Sequence, residues 1–414
     1  MNDKNVIVGL DIGTTKVCTI VGLVHPQANA PDHVEIIGIG THPSHGLKKG
    51  SVVNIEKTIK SIQCSLEEAK LMAGVNISRV SIGIAGSHIY SFNSSGVVAV
   101  KGREINQEDV DRVIDAAKAI VIPSDREIIH CIPQEFTVDN TKGIKNPVGM
   151  FGVRLEANVH VVTGSISLIQ NLVKCVEATG VKIENITLQP IASSEAVLSP
   201  EEREMGVVLV DIGGGTTDLA IWKDGNLIHT QIIPVGGNHF TNDLSVALKI
   251  PHAEAERVKV NHGSVIPEKF ATNNNVLIQS GQGPKELSLK LVAEVLGARA
   301  EELFNIVKEV LDDKGLQHYL TGGIVLTGGG ALVDGITELA EFVLERPTKL
   351  GYPHSYGGMT NIMQHPKFST VLGLLLESQK KSPAIAVDEH HSSSSGELIG
   401  KLSNSLKQVF KEIF

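Results

Sequence analysis

Two segments of this chain, 200 residues apart, follow one design: an apolar strand, an aspartate, a glycine turn carrying threonines, and a second apolar strand. The first is Val6–Leu10, then Asp11-Ile12-Gly13-Thr14-Thr15-Lys16, then Val17–Val21. The second is Val207–Val210, then Asp211-Ile212-Gly213-Gly214-Gly215-Thr216-Thr217-Asp218, then Leu219–Trp222. Glycine lets backbone approach an anion closely and present N–H groups to it, and threonine hydroxyls add donors. An aspartate at each strand end is placed to hold Mg2+ through water, because that ion keeps most of its hydration shell. One such hairpin alone is weak evidence, since a glycine turn between strands is often only a turn. Two of them facing each other would clamp a triphosphate between two similar domains. A third element, Ile324-Val325-Leu326-Thr327-Gly328-Gly329-Gly330-Ala331, is a strand running into a glycine turn. Its bare backbone could pack against a purine and ribose, or merely start a helix.

Composition narrows the function classes. At 414 residues there is room for two to three domains, and 42% hydrophobic with 20% charged content excludes a disordered chain. A net charge of −9 gives no basic face for nucleic acid, so no nucleic-acid partner is expected. Cys18, Cys64, Cys131 and Cys175 form no CxxC pair, which argues against a zinc or dithiol site and for reduced thiols in the cytosol. The start of the chain lacks the basic-then-apolar design of a signal peptide, and no apolar run approaches the roughly 18 residues of a membrane span. There is no GxxxxGK[ST], which excludes a P-loop, and no GxGxxG after a strand.

The periodicities predict an α/β chain. Strands and a helix over 54–73 fill a first core, 1–85. From 86 to 162 the texture turns Ser- and Pro-rich around one helix, with Asn106 as N-cap, Asp109 at the third helical position, and Val110, Val113, Ile114 and Ala117 on one face. This segment is expected to be a small inserted domain. The first core resumes over 163–199, a second core begins at 200–237, a mostly helical insert occupies 238–319, and the second core ends over 320–366. A short apolar helix, 367–376, follows. Residues 377–396, with Ser392–Ser395 and the paired His390-His391, have the polar, aperiodic composition of a linker.

The spaced DIGTTK, DIGGGTTD and VLTGGGA segments resemble the phosphate and adenosine motifs of the actin-like ATPase superfamily, and within it the chain closely resembles the FtsA family of bacterial cell-division proteins. The similarity runs along essentially the whole length, with Leu188–Leu198 and Lys367–Leu376 resembling the family's two connecting helices. It implies an actin-like two-domain ATPase fold of duplicated RNase H-like cores, with two inserted subdomains and a C-terminal amphipathic helix. It also implies ATP and Mg2+ as ligands. The nucleotide would then meet Asp11, Gly13, Thr14, Thr15, Lys16, Asp211, Gly213, Gly214, Gly215, Thr216, Thr217, Gly328, Gly329, Gly330 and Ala331, with Asp11 and Asp211 on the water of the metal. Glu256 and Lys259 join the site by resemblance; by their own chemistry they are a charge pair spaced i,i+3 on a helix. Gln189 sits where related filaments place a water-orienting side chain, and is read equally well as a helix-start amide bonded to backbone. Turnover, if present, is expected to be slow, with nucleotide acting as a conformational ligand.

The last eighteen residues, ELIGKLSNSLKQVFKEIF, place Leu398, Ile399, Leu402, Leu406, Val409, Phe410 and Ile413 on one helical arc, with Phe414 at its edge and Lys401, Lys407 and Lys411 outside it. That is the design of an in-plane anchor on an anionic membrane surface; a helix docked on its own domain or on a partner helix is the plainer alternative. The family resemblance favours the anchor. It further implies self-assembly into filaments or mini-rings, tethering of the tubulin-like protein FtsZ through the 238–319 insert, contact with other division proteins, and a location at the septum on the cytoplasmic face of the inner membrane. The rivals are a small-molecule kinase or chaperone ATPase of the same superfamily, and a scaffold of the pilus PilM kind.

Overall fold

The computed structural model describes residues 5–26, 33–270, 274–280, 283–316, 320–354, 357–359 and 363–381. Val6–Ile12 (β1) is buried along nearly its whole length, as a strand covered on both faces must be. It pairs antiparallel with Lys16–His25 (β2), which pairs antiparallel with His33–Pro43 (β3). The small hairpin of Leu47–Lys48 (β4) and Ser51–Val52 (β5) leads to Ile55–Ala73 (α1), whose N-cap Asn54 accepts from the Lys57 N–H at 3.0 Å. Arg79–Ile84 (β6) then joins β1 in parallel.

The chain next leaves this sheet and builds another. Tyr90–Glu104 (β7), Gln107–Lys118 (α2), Arg126–Val138 (β8), Thr141–Ile144 (β9) and Phe151–Ser165 (β10) form an antiparallel sheet ordered β7-β10-β8-β9. The helix starts with a reciprocal capping box between Asn106 and Asp109 and buries Val110, Val113 and Ala117, as its sequence requires. These pack on Val100, Phe136, Leu155 and Ala157 in a core of their own. The long strands around it were not legible: β7 buries little beyond Gly96 and Val100, so its sequence reads as a polar, turn-like stretch.

Ile166–Glu177 (α3) and Lys182–Leu188 (β11) return the chain to the first sheet. Gln189–Val197 (α4) leads across to the second lobe, where Pro200–Met205 (α5) opens with a Ser199–Glu202 capping box. Val207–Ile212 (β12), Thr217–Lys223 (β13) and Asn226–Ile233 (β14) then form an antiparallel meander. Gly237–Leu248 (α6), His252–His262 (α7), the hairpin of Asn275–Ser280 (β15) with Gly283–Ser288 (β16), and Leu289–Asp313 (α8) make the second insert. The sequence reads as loops between helices where this hairpin stands. Ile324–Thr327 (β17), Ile336–Leu344 (α9) and Thr348–Leu350 (β18) complete the second lobe. Gly357–Gly358 (β19) pairs with β3, so the chain re-enters the first lobe before residue 366. The last described helix, Ser369–Lys381 (α10), runs past the expected end at 376.

The duplication extends to topology. The first sheet is ordered β11-β6-β1-β2-β3-β19 and the second β18-β17-β12-β13-β14. In each, a central hairpin has one antiparallel neighbour on one side and two parallel strands on the other. A shared core joins the lobes, with Ile20 and Ile36 of the first meeting Leu209, Ala220 and Val325 of the second through residues of α4 and α10. Residues 382–414, which carry most of the expected linker and the whole of the expected terminal helix, 397–414, lie outside the described residues. Among the described residues no helix is long and apolar enough to cross a membrane.

The two connecting helices cross in near backbone contact: a Cβ built on Gly373 would stand 1.7 Å from the Ala192 carbonyl oxygen. Gly373→Ala is expected to destabilise the protein by about 3 kcal/mol through overpacking, read as a lowered midpoint of chemical unfolding.

Candidate functional site

A cleft of about 260 Å3 opens between the two lobes, and both glycine turns line it. The turns are built alike, with the Gly13 N–H donating to the Lys16 carbonyl and the Gly213 N–H to the Thr216 carbonyl, each at 2.9 Å. Their tips face each other directly. A Cβ on Gly214 would fall 2.4 Å from Thr15 Cγ2, and one on Gly215 would fall 2.5 Å from Thr14 Oγ1, so only glycine permits this approach.

Three carboxylates converge beneath the tips: Asp11, Asp211 and Asp218, with 8%, 7% and 4% of their surface exposed. One face of α4 reaches two of them. Gln189 Nε2 donates to Asp11 Oδ1 at 3.0 Å, and Ser193 Oγ, one helical turn on, donates to Asp211 Oδ2 at 2.6 Å. From α10 the Thr370 hydroxyl also donates to Asp211 Oδ2, at 3.2 Å. Burial pushes the Asp11 carboxyl up to about 6, with Lys16 opposing and Asp211 adding to the rise. Burial likewise raises Asp211, against the Ser193 and Thr370 hydroxyls, and raises Asp218 well above the ordinary range with help from Asp211. Asp218 Oδ1 is buried without a hydrogen-bond partner. Lys16 donates to the Lys367 carbonyl and rests 4.6 Å from the centre of the Phe368 ring.

This donor set fits a hydrated divalent cation with phosphate: desolvated carboxylates, one with an orphaned oxygen, face amide-rich turns. Among the described residues no group of three or more His, Cys, Asp or Glu side chains is arranged as a direct metal cage. Asp11 and Asp211, buried beneath the turns, suit such an ion as acceptors from its bound water.

Of the residues singled out from sequence, Asp11, Gly13, Thr14, Thr15, Lys16, Gln189, Asp211, Gly213, Gly214, Gly215, Thr216, Gly328 and Gly329 line the cleft. Others stand just behind it. Thr217 donates its hydroxyl to the Val235 carbonyl at 2.8 Å, Gly330 packs on Ile212, and Ala331 is buried. Glu256 and Lys259 are not among the lining residues. Lys259 Nζ donates to Glu256 Oε2 at 2.8 Å, to Thr241 Oγ1 at 2.8 Å and to the Gly237 carbonyl at 3.0 Å, tying α7 to the first turn of α6. That turn in turn holds the second glycine loop, through Gly237 and Asn238 N–H groups on the Gly213 and Gly214 carbonyls, both at 2.8 Å. Gly50, Lys367 and Thr370 line the cleft without having been singled out. No local pattern marks them, whereas Ser193 is betrayed by its i,i+4 spacing from Gln189.

One family profile, described as the SHS2 domain inserted in FtsA, matches residues 86–163, and another, cell division protein FtsA, matches 208–373. Cell division protein FtsA of Borreliella burgdorferi is 45% identical over 420 residues, covering 99% of this chain and 100% of that protein. The chain belongs to the FtsA family of cell division proteins. FtsA of Pseudomonas aeruginosa is 44% identical over 394 residues, covering 94% of each chain, and FtsA of Escherichia coli K12 is 39% identical over 420 residues, covering 99% of each. Solved structures carry the fold further afield. The PilM–PilN type IV pilus biogenesis complex matches with a TM-score of 0.66 at 16% identity, covering 90% of this chain and 98% of that one. MreB5 of Spiroplasma citri bound to ADP matches with 0.54 at 18%, covering 91% and 95%. At those identities the likeness is one of fold, and the fold of this chain is the actin-like one, with the SHS2 sheet as its first insert.

A carboxyl whose pKa is raised by folding binds more protons folded than unfolded, so its contribution to stability is present at low pH and is lost as pH rises from about 4 to about 6. Asp11→Asn removes that loss. It is expected to raise stability at pH 7.5 by up to about 3 kcal/mol and to flatten the pH dependence between 4 and 6, read by thermal unfolding without added nucleotide.

Proposed function

We propose that this FtsA-family protein is an ATP-binding adaptor of cell division, which self-assembles and tethers the FtsZ ring to the cytoplasmic face of the membrane at the septum, helping to recruit later division proteins. The observation that carries the nucleotide part is the face-to-face pair of glycine turns over three buried carboxylates. The turn amides and threonine hydroxyls take the phosphates, Lys16 supplies positive charge, and Asp11 and Asp211 accept from the water around Mg2+. Gly328 and Gly329 offer bare backbone on the side where a nucleoside would lie. Solved relatives in fold support this reading, since MreB5 of Spiroplasma citri has been captured with ADP and with AMPPNP.

When bound, Mg2+ offsets charge that the protein by itself leaves crowded. Gln189, held on Asp11, has the position to orient a water towards the cleft, so a weak ATPase activity accompanies the adaptor role. Ligand binding favours whichever lobe arrangement brings the turns to the phosphates, by its differential affinity for it. The membrane part rests on 397–414, whose apolar arc and three lysines suit an anionic surface. One such helix binds reversibly, and self-assembly strengthens it by avidity. The FtsZ-tethering part rests on family membership and assigns the contact to the 238–319 insert.

Two measurements check this reading. ATP with Mg2+ is expected to raise the melting temperature of the native chain and to leave Asp211→Asn unmoved; equal shifts in both would count against the cleft. In flotation with anionic liposomes and ATP, the full chain is expected to float and a chain ending at Gly396 to stay behind. Failure of both to float would make the terminal segment a docking element instead.

A further inference from the structure

The first insert is attached to the first lobe by covalent connections at both ends, yet its sheet grips the second. β14 is the edge strand of the second sheet and should present unpaired carbonyls on its outer side. Side chains from two strands of the insert donate to such carbonyls, and a third strand reaches a β14 hydroxyl. Ser91 Oγ, on β7, donates to the Thr230 carbonyl at 2.6 Å, and Asn93 Nδ2, two residues on, donates to the Ile228 carbonyl at 3.2 Å. Gln134 Nε2, on β8, donates to the Leu227 and Ile228 carbonyls at 2.8 and 3.0 Å. On β10 the buried His160 ring lies between the Asn93 amide oxygen, 2.7 Å from Nδ1, and the Thr230 hydroxyl, 3.0 Å from Nε2.

The strands are bent to make this contact. In β8 the register slips so that Glu135 faces Asn158 and Pro133 faces Val159, leaving Gln134 as the extra, bulged residue. In β14 it slips so that His229 faces Ile221 and Leu227 faces Trp222, leaving Ile228 bulged. A bulge re-aims the side chain and backbone of the extra residue. Here two bulges from different domains point at each other, and the amide of one is bonded to the carbonyl of the other.

β14 also leads to the cleft. Its Ile232 faces Asp218 across the β13 pairing and packs into the first lobe's core. Just beyond its end, the Val235 carbonyl takes the Thr217 hydroxyl, and Gly237 binds the Gly213 carbonyl of the second glycine turn. One strand thus runs from the insert's grip to the turn.

We propose that the inserted SHS2 domain is a clasp on the second lobe, whose hold on β14 favours the closed arrangement of the cleft and thereby raises the cleft's affinity for its ligand from a distance. Because an arrangement favoured by the clasp is also favoured by a ligand that bridges the lobes, each strengthens the other. The insert in turn is held more firmly when the cleft is filled, so it reports the state of the cleft.

The test uses the full chain with Gln134→Ala, and with Asn93→Ala and Gln134→Ala combined, so that the single change remains if the double variant folds poorly. None of these residues touches the cleft. Titration with Mg2+ and ATP, which rests on the nucleotide-binding reading above, is expected to show affinity at least about fivefold weaker in the double variant. Hydrogen exchange without nucleotide is expected to quicken along 226–233 and onward into the 207–223 hairpin and α6. Unchanged ATP affinity in folded variants overturns the clasp. If the native chain itself fails to bind ATP, the nucleotide reading falls and the exchange arm decides: quickening that spreads to 207–223 and α6 supports the clasp, and quickening confined to 226–233 overturns it.

Discussion

One turn of one helix ties the two glycine hairpins together. Gln189 and Ser193 stand on the same face of α4, one holding Asp11 of the first glycine hairpin and the other Asp211 of the second. Both acids are desolvated, and a buried carboxylate is expensive unless hydrogen bonds or a cation compensate it. The hydroxyls of Ser193 and Thr370 and the amide of Gln189 supply part of that compensation. The remainder is left to whatever enters the cleft, since Asp218 Oδ1 has no partner and Asp211 adds to the raised pKa of both Asp11 and Asp218.

Packing makes that electrostatic arrangement rigid. α4 and α10 cross closely enough that Gly373 faces the backbone of Ala192, and around them one apolar core draws on both sheets. The close crossing leaves little freedom for one helix to slide past the other. The inserts stand apart from this crossing: the second ties α6 and α7 to a glycine turn through Lys259, and the first reaches the same turn through β14.

Much of the fold was legible because its signals are local. The hairpins announce themselves by strand, aspartate and glycine turn, and α2 and α5 by capping boxes that depend on residues three positions apart. What escaped was set by partners far along the chain. The strands of the first insert have one wet face, so their composition resembles turns until the neighbouring strand is known. Gly357 and Gly358 carry no strand signal and pair with β3 only because the chain happens to pass there.

The same division holds at the site. By itself the sequence determined that two aspartate-bearing glycine turns exist, that they are duplicates, and that the chain ends in a segment with an apolar arc and lysines, because each of these is a matter of residue type and short-range period. Only the tertiary structure decided that the turns abut, that Ser193 and Thr370 share Asp211, that Lys259 braces α6, and that the first insert grips β14. Those are distances between residues tens to hundreds of positions apart, fixed when buried apolar surface brings the sheets together and the polar groups carried inward must find partners.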